Sequence, residues 1–140
     1  MSIPLQIAID CAEPHALARF WAEAIGYEIE RHDALVRRML EQGYATEDDV
    51  TEVDGLMAWR EAAACVDPDG RQPRLLFQVV PEGKATKNRV HLDLHVGAER
   101  MSDEIARLEG LGARRLWDGR QGPLTWVTMA DPEGNEFCLA

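Results

Sequence analysis

Residues 3–11 alternate in polarity. Ile3, Leu5, Ile7, Ile9 and Cys11 fall on one face, and Gln6, Ala8 and Asp10 on the other. A period of two predicts a half-buried strand. Glu13-Pro14 then opens a helix, since proline is tolerated in a first turn. Leu17, Phe20, Trp21, Ala24 and Ile25 form one apolar stripe at helical spacing, and Gly26 ends it. Tyr27 to Glu30 reads as a short strand. Leu35, Val36, Met39 and Leu40 predict a second helix ending near Gly43, and the acidic Glu47-Asp48-Asp49 reads as a solvated loop or a helix start. Strands are expected over residues 55–66 and 73–80, joined by the turn Asp67-Pro68-Asp69-Gly70.

After a link at Lys84 to Lys87 the pattern begins again. His91, Asp93 and His95 share one face, and Leu92, Leu94 and Val96 the other. Met101, Ile105, Leu108 and Leu111 make a helical stripe ended by Gly112. Strands are predicted at Arg114 to Trp117, Thr125 to Ala130 and Asn135 to Leu139, with Asp131-Pro132-Glu133-Gly134 repeating the earlier turn. The period is too long for a solenoid and occurs only twice, which indicates two fused copies of one unit. The expectation is a single α+β domain over residues 1–140, built of two units at about 1–82 and 88–140. Each reads as strand, helix, strand, strand, strand. Gly26 and Asp67 stand more than twice as far apart as Gly112 and Asp131, so the first copy carries an insertion at about 31–54. With the helices covering one face of each sheet, Gln6 and His91 point the other way, into whatever the sheets curve around.

Composition narrows the function classes. A net charge of −10 over 140 residues has the wrong sign for nucleic acid, which needs a basic face to displace counterions. It favours cationic ligands, or simply keeps the chain in solution. No apolar run approaches the roughly 20 residues of a membrane span, and no basic start precedes an apolar block, so no secretory signal and no membrane are expected. Cys11, Cys65 and Cys138 are dispersed, without Cys-x-x-Cys spacing, as expected of reduced thiols in a cytoplasm.

The repeat resembles the vicinal oxygen chelate superfamily, the glyoxalase, bleomycin-resistance and ring-cleaving dioxygenase group, and within it the bacterial glyoxalase-like domain proteins. The resemblance rests on Phe20-Trp21 and Gly26-Tyr27, on Lys87-Asn88-Arg89-Val90-His91-Leu92-Asp93-Leu94, and on Ala130-Asp131-Pro132-Glu133-Gly134-Asn135-Glu136-Phe137-Cys138. It implies two tandem βαβββ units whose curved mixed sheets enclose a cleft, and commonly a homodimer. It also implies, in metal-dependent members, a divalent ion such as Zn, Ni, Mn or Fe. Its ligands would be a His or Gln on the first strand and a Glu on the last strand of each unit. Gln6 and His91 match the first-strand positions. The last-strand positions hold Cys138 and, depending on how the longer turn is counted, Phe77 or Gln78. None of these is a carboxylate.

Metal ligation therefore falls to Gln6, His91 and a shifted Glu136, which shares the strand face of Cys138. A metal-free alternative has Gln6, Gln78, His91, Asp93, Trp126 and Cys138 lining a ligand site. Asp93 and Glu136 are the residues that could move a proton. Against these stand plainer roles: a hydrogen-bonded sheet histidine at His91, a polar pair at Asp93 and His95, a buried structural thiol at Cys138, and core aromatics at Trp59 and Trp126. Two functions follow from the resemblance. One is binding of a small organic molecule in the cleft without the usual metal, as bleomycin-resistance proteins sequester a cationic drug. The other is a metal-dependent lyase, isomerase or dioxygenase using Gln6 and His91.

Overall fold

In the computed structural model, which describes residues 1–140, the first strand begins at Ile7 rather than Ile3. Its parallel partner explains the late start. Ile7 is paired with Leu75 in register, so Leu5 would fall opposite Pro73, which has no N–H to continue the ladder. Ile3 and Leu5 are left 88% and 66% exposed.

The chain divides into two compact units, Met1–Pro81 and Glu82–Ala140. The first contains β1 (Ile7–Cys11), α1 (Pro14–Ile25), β2 (Glu28–Ile29), α2 (Asp33–Glu41), β3 (Val50–Val53), β4 (Leu56–Trp59), β5 (Ala62–Val66) and β6 (Leu75–Val79). Its main sheet has the order β1-β6-β5-β2, with β1 and β6 parallel and the rest antiparallel. Helix α1 packs on β5 and β6, burying Leu17 and Trp21. Gly26 closes the helix with a left-handed φ of 75°, a conformation that glycine adopts without steric cost.

The segment read as an insertion is more regular than its sequence suggested. Strands β3 and β4 form a separate two-stranded hairpin, so the ordered strands begin at Val50 rather than residue 55. Asp54 and Gly55 turn it with φ of 51° and 79°, the two positive values of a tight hairpin turn. Asp-Gly between apolar runs was the signal for this hairpin.

The second unit contains β7 (Asp93–Leu94), α3 (Met101–Leu111), β8 (Arg114–Gln121), β9 (Leu124–Ala130) and β10 (Glu136–Leu139). Its sheet order, β7-β10-β9-β8, repeats the first: first strand, last strand, third, second. Leu108, Met129, Phe137 and Leu139 are its most buried side chains. The two Asp-Pro-x-Gly turns also match. Asp67 accepts from the N–H groups of Asp69, Arg71 and Gln72, and Asp131 from those of Glu133 and Asn135. The fold is thus α+β, a duplicated unit with mixed sheets. No helix is long and apolar enough to cross a membrane.

Candidate functional site

One face of the second unit's sheet packs its core; the other carries a cavity of about 320 Å³. Register decides which side chains reach it. Parallel pairing of β10 with β7 sets Cys138 beside Asp93, and antiparallel pairing with β9 sets Cys138 beside Thr128. Thr128 in turn faces Trp117 on β8. Asp93, Cys138, Thr128 and Trp117 therefore form a row across all four strands, and each lines the cavity. Period two then adds His91 and His95 from the first strand's flanks, Glu136 from β10 and Trp126 from β9.

Trp117 reaches this row because of an irregularity. The register of β8 against β9 shifts between Arg115 and Trp117. Without that extra residue Leu116 would stand opposite Thr128. Such bulges re-aim side chains.

His91 Nδ1 lies 2.8 Å from Asp93 Oδ1, a close imidazole–carboxylate pair. Cys138 is buried, and its Sγ lies 3.5 Å from the Thr128 hydroxyl. Burial pushes the thiol's pKa up, and the Asp93 carboxylate pushes the same way; the Thr128 bond and Lys87 oppose them and lose. Cys138 is therefore a protonated thiol at neutral pH, not an activated nucleophile. Burial also works on Glu136 in the upward direction. The Asn88 N–H and the Lys84 ammonium, each 3.0 Å away, outweigh it and hold the carboxyl below its ordinary range. Both Glu136 oxygens are thus engaged, and the residue is fixed as an anion.

Five sequence candidates, His91, Asp93, Trp126, Glu136 and Cys138, line this one cavity. Gln6 and Gln78 belong to the first unit. Gln6 precedes β1, and its Oε1 accepts from Arg74 at 2.9 Å. Gln78 is exposed on β6, in register with Asp10. Trp59 lies on β4, and its carbonyl meets the His15 ring at 2.7 Å beside a cavity of only about 30 Å³. That is room for no more than about a water or two. Thr128 and Trp117 were missed. Thr128 was legible, two residues from Trp126 on the same strand; Trp117 was not, because its face depends on the bulge.

The metal that the resemblance implies can be tested against these donors. A manganese-type site wants carboxylate and other oxygen ligands. Here the last-strand position offers a buried thiol, the nearby Glu136 is held by Lys84 and Asn88, and the Gln6 carbonyl oxygen is held by Arg74. The residues do not fit an oxygen-rich ion site.

No functionally curated protein matches this sequence. Among solved structures, the chain is similar to a glyoxalase/bleomycin resistance protein/dioxygenase family enzyme from Burkholderia phytofirmans PsJN. The TM-score is 0.62 at 10% identity, covering 96% of this chain and 94% of that one. It is also similar to a mutant of the fosfomycin resistance protein FosX from Listeria monocytogenes, complexed with Mn(II) and a dihydroxypropylphosphonic acid. There the TM-score is 0.65 at 10% identity, covering 99% and 89%. An integron cassette protein from the Halifax Harbour sewage metagenome matches with a TM-score of 0.59 at 15% identity, covering 99% and 97%. At these identities the likeness shows the fold alone. The glyoxalase-like domain family matches residues 6–140, and the chain belongs to that family.

Proposed function

We propose that the chain binds a small organic molecule, with a planar ring system and hydrogen-bonding groups, in the cavity of the second unit. The observation that carries this reading is the pairing of two tryptophans with a polar strand edge across one concave sheet face. Trp117 and Trp126 supply apolar wall on β8 and β9; His91, Asp93 and His95 supply donors and acceptors on the opposite side. A volume of about 320 Å³ falls at the lower end of the range for small-molecule sites. Trp117 is 46% exposed, a large apolar surface that a ring would cover. The net charge of −10 and the Asp93 carboxylate favour a ligand with positive charge.

The reading is sequestration rather than chemistry. The Cys138 thiol is protonated, and the Glu136 carboxylate is tied to Lys84 and Asn88. A divalent-metal lyase, isomerase or dioxygenase using Gln6, His91 and Glu136 would have to break those contacts before its ion had oxygen ligands. FosX and the Burkholderia enzyme lend this chain a fold, and the donor set argues against lending it a manganese-dependent reaction.

A screen of small planar heteroaromatic cations tests the reading by thermal shift and tryptophan fluorescence. Saturable hits that quench Trp126 and Trp117 and are lost on Trp126→Ala support it. Hits that bind with undiminished affinity to the Trp117→Ala, Trp126→Ala double variant would refute it.

A further inference from the structure

Two carboxylates and one ammonium line the cavity of the second unit, those of Asp93, Glu136 and Lys87. Both carboxylates already have partners. Asp93 is paired with the His91 ring at 2.8 Å, and Glu136 is held by the Lys84 ammonium and the Asn88 N–H, each at 3.0 Å. Lys87 makes no ion pair with either. The hydrogen bond of its ammonium runs 3.2 Å to the carbonyl of the adjacent Asn88.

The neighbouring backbone fixes where this charge stands. Asn88 donates from its backbone N–H to Glu136 and from its side chain to Asn135 at 2.9 Å, so residue 87 is tied to the start of β10. Burial raises the pKa of the Cys138 thiol, and Lys87 is among the groups that oppose that rise; its positive charge is therefore felt inside the cavity. A lysine ammonium has three donors. Open to water, the unused ones are solvated. A ligand that fills the cavity displaces that water and strands them unless it brings an acceptor, and a donor left unmet costs more than an ordinary hydrogen bond returns. Asp93 makes the opposite demand, for positive charge on the same ligand.

We propose that the cavity takes a planar zwitterion, a cationic heteroaromatic ring that carries a carboxylate, and that Lys87 selects for the carboxylate. The inference rests on the small-molecule reading of this cavity and narrows it. A charge-assisted bond from an ammonium to a carboxylate is stronger than one to a neutral acceptor, so a carboxylate outranks an amide at this place. A plain anion is disfavoured by Asp93 and by the net charge of −10. The ring lies against Trp117 and Trp126. No covalent bond forms or breaks.

Three quinoline probes separate these demands: 1-methylquinolinium-3-carboxylate, a zwitterion; its 3-carboxamide, a cation of the same shape; and quinoline-3-carboxylate, an anion. Isothermal titration calorimetry at pH 7 and low salt reads their affinities. The zwitterion should bind at least about tenfold tighter than the carboxamide, the scale of a hydrogen bond to a charged group, and tighter than the anion. Lys87→Gln should bring the zwitterion and carboxamide affinities together, and Lys87→Arg should restore the gap. Arg89→Gln, at an exposed cation that does not line the cavity, should preserve it. Equal affinity for zwitterion and carboxamide in the unaltered protein overturns the proposal and leaves the cavity reading standing. So does a preference that survives Lys87→Gln, or an anion bound as tightly as the zwitterion. Carboxamide binding that persists undiminished without both tryptophans sinks the cavity reading instead, and binding of none of the three overturns both.

Discussion

Gly119 on β8 lies opposite Trp126 on β9, and the Trp126 indole occupies the space that a side chain at 119 would fill. An ideal Cβ at position 119 would overlap the Cε2, Nε1 and Cζ2 atoms of the ring. The glycine is thus the bed on which one wall of the cavity rests. Its φ is not positive, so the need is for space and not for backbone freedom. Gly119→Ala should drive Trp126 off its position. Overpacking of this kind costs about 1–3 kcal/mol. The expected outcome is a lower urea midpoint together with a changed tryptophan near-ultraviolet circular dichroism. An unchanged aromatic spectrum would show that the ring does not rest there.

Trp117 is the complementary case. At 46% exposed it contributes little to the core. Trp117→Ala should leave stability within about 0.5 kcal/mol, as surface changes usually do. For a ring-bearing ligand of the cavity it should weaken binding by about tenfold, since an aromatic contact is worth around 0.5–1.5 kcal/mol beyond its area. Parallel denaturant and binding titrations separate the two effects. A variant that loses stability and keeps affinity would assign Trp117 to the fold.

The repeat was legible because both copies use the same physical devices: an alternating first strand, a helix stopped by glycine, and an aspartate-capped turn. Alternation over His91, Leu92, Asp93 and Leu94 told which side chains leave the core, and the structure keeps that parity throughout. Register across strands was not legible. Nothing in the sequence says that Cys138 stands beside Asp93, or that a bulge turns Trp117 toward Thr128. The fates of Gln6 and Glu136 were hidden for a related reason. Their partners, Arg74 and Lys84, are 68 and 52 residues away in the chain. Long-range side-chain pairing leaves no local pattern to read.

The two turn aspartates look alike in sequence and differ in burial. Asp131 is 3% exposed and accepts from two backbone N–H groups and the Asn135 side chain. Asp131→Ala strands these donors in a buried turn. A buried donor left without its acceptor costs about 1–3 kcal/mol, and water entering the opened turn serves the other donors, so a loss of about 2–3 kcal/mol is expected from urea unfolding. Asp67 makes the same kind of turn at the surface, and its alanine variant should cost less. Equal losses at both positions would show that burial does not set the difference.

Glu104 is one source of acid sensitivity in the fold. Its carboxylate accepts from Arg107 at 2.7 Å and from Arg100 at 2.8 Å while lying buried on α3. The Arg107 hydrogen bond is the largest influence and lowers its pKa; burial pushes upward, and Arg100 adds to the lowering. A depressed pKa means that the folded state binds the proton less well than the unfolded chain. The stabilisation is therefore fully present above the ordinary glutamate value of 4.5 and is lost as pH falls through the lower folded value. Glu104→Gln should remove that part of the pH dependence and lower stability at neutral pH by about 1 kcal/mol. Urea midpoints measured from pH 7 down to pH 3 check both. The two curves should lie furthest apart at neutral pH and converge in acid. Parallel curves over the whole range would show that Glu104 contributes none of the pH dependence.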